Sequence, residues 1–315
     1  MSNLIQRATE LLRGGQIVAF PTETVYGLGA NALDIGAVLR IFEAKQRPQF
    51  DPLIVHVHRA ERAWELAVEV PTLARRLAER FWPGPLTLVL PKRPIVPDLV
   101  TSGMPTVALR VPSHPMALEL LEAFDGPVAA PSANKFGRIS PTSAEHVRSE
   151  FGSELSLVLD GGACSTGLES TIVSLVTPRP VLLRPGGIPV EQLLPMIGDL
   201  EVPTSDPEHP LAPGQLPSHY APRTPLMIEE HTGKPELAGK RLGLIGVGPS
   251  RATPGYECVE WLSATGDLRE AAAQLFAAMR RLDAKGLDLI IAELAPDQGL
   301  GVAINDRLIR ASRHT

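Results

Sequence analysis

Seven of the twenty-three residues in PTSDPEHPLAPGQLPSHYAPRTP, positions 203–225, are proline. Proline has no backbone N–H and a fixed φ, so this stretch can be neither a helix nor an inner strand. It is expected to be extended and rather stiff. The chain must therefore fold as one unit before it and another after it. A length of 315 residues suits two domains better than one small core. The division expected is a larger domain over 1–200, a linker over 201–225 and a smaller domain over 226–315.

Before the prolines, helix-like and strand-like segments alternate. Strands are expected at 17–20, 53–57, 86–90, 106–111, 128–130, 155–159, 171–175 and 181–184. Several are unbroken aliphatic runs, as in strands buried on both faces. Helices are expected in DIGAVLRIFEAK, with Asp34 as N-cap, and in PTLARRLAERF, HPMALELLEAF and PTSAEHVRSEF. The first fifteen residues also have an amphipathic helical pattern. After the prolines, RLGLIGVG and LDLIIAEL read as buried strands. DLREAAAQLFAAMRRLDAKG reads as a long helix with acid at its start and base near its end, and AINDRLIRAS as a last helix. The fold class is α/β: a twisted mixed sheet with helices, then a smaller α/β unit. GLIGVG has the order G-x-x-G-x-G, so a strand-to-turn reading is preferred to a dinucleotide fingerprint.

Apolar residues make up 44% of the chain and charged residues 21%, as in a globular protein. The net charge of −5 argues against attachment to nucleic acid by nonspecific phosphate attraction, and a local basic pocket stays open. The two cysteines, Cys164 and Cys258, make neither a disulfide framework nor a zinc-finger spacing, and no metal site is expected. No secretory h-region and no run of membrane-span length occurs, so no membrane association is expected and the cytoplasm is the default.

Four loops border the expected buried strands. PTETVYGLGAN (21–31) carries Thr22, Glu23 and Thr24. AKQRPQFDP (44–52) carries Lys45, Arg47 and Asp51, with Pro48 and Pro52 keeping helix out and holding the cations on a stiff loop. APSANKFGRISPT (130–142) carries Ser132, Asn134 and Ser140. STGLESTIVSL leads through Ser170 and Thr171 towards LLRPGGIP, with Arg184. Taken singly, each reads equally as turn and N-cap chemistry. Taken together, Lys and Arg with serine hydroxyls, an Asn amide and glycine-turn N–H groups suit a polyphosphate. No P-loop, no Gly-x-Ser-x-Gly elbow and no His-Glu-x-x-His helix is present.

These segments resemble, in order and spacing, the YrdC-like threonylcarbamoyl-adenylate synthases. The resemblance is carried by FPTETVYGLGANA, KQRPQFDPLIVHV, FWPGPLTLVL, TVALRVPSH, PVAAPSANKFGRISPTSAEHV, LESTIVSL and LLRPGG. Lys-x-Arg-Pro-x-x-x-Pro-Leu and Ser-x-Asn are the signature elements. APGQLPSHYAPRTPL and GLGVAINDRLIRAS resemble the linker and second domain of the two-domain form, so the similarity covers nearly the whole chain. It implies a YrdC-like catalytic domain and a Rossmann-like second domain. It also implies a nucleotidyltransferase that makes L-threonylcarbamoyl-adenylate, pyrophosphate and water from L-threonine, bicarbonate or CO2, and ATP with Mg²⁺. A tRNA threonylcarbamoyl transferase would then carry the group to adenosine 37 of tRNA, which leaves room for a weak tRNA contact.

By the same resemblance, Lys45 and Arg47 are the catalytic cations at the triphosphate. Asp51, Thr106, Ser132, Asn134, Ser140 and Arg184 complete the ATP site. Apart from the resemblance, the proline-rich segment is a candidate lid, in which Tyr220 of SHYAP either covers the nucleotide or packs at a seam between the domains. Thr24, His56, Arg110, the backbone at Ala130 and Ser170 are implied for L-threonine. Two alternatives stay open: an RNA-binding module using the same cations, and carbamoyl-adenylate formation as in hydrogenase-maturation carbamoyltransferases.

Overall fold

The computed structural model describes residues 2–48, 50–202, 214, 219–229, 237, 239–248 and 251–313. The linker expected over 201–225 lies outside the described residues except for 201, 202, 214 and 219–225.

The larger sheet is built from Val18–Phe20 (β1), Gly27–Asn31 (β2), Ile54–His56 (β3), Leu86–Pro91 (β4), Thr106–Arg110 (β5), Val128–Ala129 (β6), Thr171–Ser174 (β7) and Val181–Arg184 (β8). Their order across the sheet is β1-β2-β6-β3-β5-β4-β7-β8. The pairing is parallel at β3/β5 and β4/β7 and antiparallel elsewhere. The inner strands are covered on both faces, which is why their sequences are aliphatic without alternation. On one face Val55, Leu88 and Leu109 enter the main core. On the other, Ile54, Val89, Ala108, Ile172 and Leu183 pack together.

Two expectations about this sheet need correction. The segment 21–31 is not only a polar loop, because Gly27–Asn31 forms β2. Its glycines hide it from a propensity reading. A Cβ on Gly29 would stand 2.7 Å from the Phe20 ring and 2.8 Å from Val128, so this strand must lack side chains there. Residues 155–159, conversely, form no strand. Leu157 O and Leu159 N bond Ala19 on either side of a single bridge, and β1 is too short to extend the ladder.

The expected helices fall at Asn3–Arg13, Ile35–Lys45, Thr72–Phe81, Pro115–Phe124 and Ala144–Phe151. Asp34 caps the second by accepting from Gly36 N and Ala37 N. Lys45 is its last residue, and Gln46 ends it in the left-handed region at φ 53°. The described residues 46–48 and 50–52 are accordingly not helical, but Lys45 itself is mounted on a helix end and not on the loop.

The smaller sheet consists of Leu226–Ile228 (β9), Leu242–Gly246 (β10), Cys258–Trp261 (β11) and Leu289–Ala292 (β12), all parallel, in the order β11-β10-β12-β9. GLIGVG is a strand running into a turn, as read. Helix Leu268–Asp283 is capped by Asp267, and helix Gly301–Ser312 closes the chain. One apolar cluster joins the two sheets' units: Val25, Ile139 and Leu168 pack with Tyr220, Phe276 and Ile304. Among the described residues no helix is long and apolar enough to cross a membrane.

Candidate active site

The parallel pairing of β3 and β5 sets His56 directly beside Arg110 at the ends of their strands. Alternation turns Ile54, His56 and Arg110 to one face, where they line a cleft with about 550 Å³ of empty space. Thr24, Ala130, Ser132, Arg47, Ser170 and Arg184 line it too, so nine of the expected site residues converge with Arg110 and His56 counted among them and Tyr220 added.

One half of the cleft is organised by Arg110. Its Nη2 donates to Glu23 Oε1 at 2.7 Å and to Thr24 Oγ1 at 3.0 Å, and its Nε to Gly84 O at 3.2 Å. Glu23 Oε2 accepts from Ser113 N at 3.0 Å. The guanidinium is thus held from behind, a good arrangement for binding a small carboxylate. His56 is buried and its Nδ1 has no partner among the described residues. Burial, with Arg110 beside it, pulls its pKa down to about 3, so the ring is neutral. Ser170 Oγ lies 2.7 Å from Thr87 Oγ1.

The other half is cationic. Arg47 donates through Nε to Asp51 O at 3.1 Å and through Nη2 to Pro52 O at 3.0 Å, which fixes the loop the prolines begin. Arg184 grips Ser170, with Nη2 2.9 Å from the carbonyl oxygen and 3.1 Å from Oγ. Tyr220, at φ 65°, is buried, and its Oη finds no partner among the described residues. Lys45 is only 1% exposed and stands behind the wall, donating through Nζ to Ser132 O at 2.5 Å and to Asn134 O. Burial, with Arg47 nearby, holds its pKa well below the usual lysine value. Asn134 braces the same turn by donating to Lys135 O and Arg138 O. Ser140 donates to Glu169 Oε1 at 2.6 Å, below the cleft surface. These cations are buried, not spread over a surface patch of the kind that holds RNA nonspecifically.

Asp51 is completely buried. Its Oδ2 lies 2.8 Å from Arg47 Nη2, yet neither carboxylate oxygen accepts a well-directed hydrogen bond. Burial raises its pKa, against the pull of Arg47, Lys45 and Arg184. Among the described residues no group of three or more His, Cys, Asp or Glu side chains could hold a metal ion. Asp51 does not line the cleft, and it faces Arg47, which does.

Thr106 is placed elsewhere. It begins β5, at the opposite end from Arg110, and lines a separate small cavity with Pro52, Leu53 and Ala108. Sequence reasoning also passed over residues that matter here: Glu23 as the partner of Arg110, Glu169 and His219 in the cleft wall, and Arg307 behind it. Each lay inside a segment already singled out by its motif, but nothing local marks a partner 87 positions away, as for Glu23 and Arg110, or 138, as for Glu169 and Arg307.

Comparison with known proteins shows the family. Residues 10–186 match a family model described as telomere recombination, and residues 188–313 match one described as threonylcarbamoyl-AMP synthase, C-terminal domain. The chain is 45% identical to the threonylcarbamoyl-AMP synthase of Pyrococcus abyssi over 98% of its own length and 94% of the relative's. It is 43% identical to that of Bacillus subtilis, over 98% and 92%. The crystal structure of P. abyssi Sua5 complexed with L-threonine superposes with a TM-score of 0.92 at 44% identity, covering 98% of this chain and 94% of that one. With family models matched over 10–186 and 188–313 and relatives alike over 98% of its length, the protein belongs to the Sua5/YrdC family of threonylcarbamoyl-AMP synthases.

Proposed function

We propose that the chain is an L-threonylcarbamoyladenylate synthase, a nucleotidyltransferase that converts L-threonine, bicarbonate and ATP into L-threonylcarbamoyl-AMP, pyrophosphate and water, or L-threonine, CO2 and ATP into the same adenylate and pyrophosphate without water. The observation that carries this reading is the sharing of one cleft by Arg110, backed by Glu23, and by Arg47 and Arg184. The first suits an amino-acid carboxylate. The other two suit a nucleotide's phosphates.

Both reacting species are substrates, so the side chains have to orient and stabilise and need supply no nucleophile. Threonine's carboxylate is taken by Arg110 with Thr24, and neutral His56, Ser170 and the Ala130 backbone face the rest of it. Its amine, carboxylated to a carbamate, presents an oxygen to the α-phosphorus of ATP. That oxygen–phosphorus bond forms as the bond to the pyrophosphate oxygen breaks. Arg47 and Arg184 take up the charge that gathers on the leaving group, each charge-assisted bond contributing about 1.5–3 kcal/mol. Lys45 and Asn134 hold the turn that presents Ser132, and Ser140 supports the wall through Glu169. Tyr220 Oη completes the nucleotide side. Mg²⁺ carried by ATP would neutralise phosphate charge, and Asp51 would serve that side of the site through Arg47, its partner at 2.8 Å. Burial of the cleft protects the labile carbamate from water.

In this reading residues 1–200 carry the chemistry, and residues 226–315 back the cleft across the segment 201–225. A tRNA threonylcarbamoyl transferase in the cytoplasm receives the product. Pyrophosphate release is the test. It should require ATP, L-threonine and bicarbonate together. Release that persists without threonine, or that responds to carbamoyl phosphate in its place, would replace this reading with another adenylation.

A further inference from the structure

We infer that Arg307, on helix Gly301–Ser312 behind the smaller sheet, is a positioning residue for the nucleotide half of the cleft, acting through Glu169 and Tyr220. The inference rests on the function proposed above and adds a task for the second unit. Arg307 is completely buried. A guanidinium is costly to bury unless its donors are matched, and packing alone would be served better by an aliphatic side chain. Each of its three nitrogens has a partner, and one of these, Glu169, lines the cleft. Nε donates to Glu169 Oε2 at 2.8 Å, and Nη2 donates to Pro185 O at 2.9 Å, next to Arg184. The guanidinium carbon stands 5.2 Å from the centre of the Tyr220 ring, within cation–π range. Nη1 donates at 2.6 Å to Asp306, whose other oxygen accepts from Arg310 at 2.9 Å.

Glu169 passes this constraint forward. Its second oxygen accepts from Ser140 Oγ at 2.6 Å, and its neighbour Ser170 is the residue Arg184 grips. Tyr220 is fixed on its other side by Phe276, with ring centres 5.5 Å apart. A single side chain of the second unit thus sets the carboxylate behind Ser140, the backbone beside Arg184 and the ring of Tyr220. Without Arg307, the Glu169 charge would be left to Arg184, the other cation acting on it, and would drain positive charge from the phosphate wall.

The test compares Arg307→Met and Arg307→Lys with Arg280→Met. Arg280 also ties the two units together, 3.4 Å from Glu150, but lies outside the cleft lining. Thermal melting reads the structural cost of each. We expect Arg307→Met to raise the KM for ATP about tenfold, the loss of roughly one hydrogen bond's worth of positioning, with the KM for threonine within about twofold. Arg307→Lys should recover part of the loss. In a Glu169→Gln background, Arg307→Met should add little. Arg280→Met should lower the melting temperature and leave both KM values in place. Equal ATP KM values for wild type and Arg307→Lys and →Met, or equal rises for both substrates, would overturn the inference. If Arg307→Met does not fold, Arg307→Lys against wild type decides by the same ATP and threonine values. Calorimetric binding of a non-hydrolysable ATP analogue separates the two readings. Wild type that binds it but releases no pyrophosphate defeats the proposed function, and the affinities of the variants still judge Arg307.

Discussion

Arg110 and Glu23 form a buried pair, Nη2 to Oε1 at 2.7 Å, in which the carboxylate holds the guanidinium towards the cleft. Glu23 is itself tied down by Ser113 N, and Arg110 by Gly84 O. Such a fork is defined by several donors in one plane, which a lysine ammonium cannot reproduce.

Arg110→Lys should therefore keep the charge and lose the geometry. Loss of a charge-assisted bond of about 1.5–3 kcal/mol corresponds to a rise in the KM for threonine of about ten- to a hundredfold. The KM for ATP should change little, because the nucleotide is assigned to the opposite half. Steady-state pyrophosphate release with each substrate varied in turn checks this. A larger change in the ATP value than in the threonine value would show that the two halves have been assigned the wrong way round.

The strands and the Asp34 cap were legible because each is a local pattern: an aliphatic run, or a carboxylate ahead of helical periodicity. β2 was not, since its glycines are required by the Phe20 ring across the strand pair and not by any preference of their own. The motif loops were legible as chemistry, and the fold does gather them at the ends of β3, β5 and β8. What each residue does there was less so. Lys45 reads as a phosphate ligand, yet it is buried and donates to the carbonyls of Ser132 and Asn134, which bind it to the turn behind the cleft. Thr106 shares a strand with Arg110 but lies at its other end. Partnerships such as Arg307 with Glu169 join residues that periodicity cannot connect.

Two buried histidines make stability depend on acid. Burial, with Arg110 beside His56, and burial, with Arg47, Lys45 and Arg184 around His219, pull both pKa values down to about 3 from the ordinary 6.5. Their contribution is fully present above pH 6.5. Below it the unfolded chain binds protons that the folded one refuses, so stability falls by up to about 1.4 kcal/mol per pH unit for each histidine. Glu169, whose carboxyl is held below its ordinary 4.5 by Arg307 and Arg184 against the effect of burial, adds its own loss only at lower pH. Urea unfolding between pH 6.5 and 5 reads the histidines together with His146, which burial and Arg280 hold down at about 4, so the variant carries the test. His219→Asn should flatten the slope there by about one histidine's share. An unchanged slope would mean that His219 takes up its proton in the folded protein.

The close approach of Gly186 to the segment before β7 gives the last prediction. A Cβ on Gly186 would lie 2.4 Å from Glu169 O and 2.5 Å from both Ser170 C and Thr171 N, all backbone atoms with no side chain to swing away. Gly187 N donates to Glu169 O at 2.9 Å across the same contact. Gly186→Ala must therefore push the loop after Arg184 away from the loop that carries Ser170. Overpacking of this kind costs about 1–3 kcal/mol, which denaturant unfolding would read directly. The activity loss should exceed what that instability explains, since the displaced contact is the one by which Arg184 holds Ser170 between the two halves of the cleft. At Gly248 a Cβ meets nothing within 4 Å, and Gly248→Ala should stay within about 0.5 kcal/mol of wild type with its turnover intact. If Gly186→Ala behaves like Gly248→Ala, the seam between these two loops is loose enough to give, and Arg184 does not depend on it for its aim.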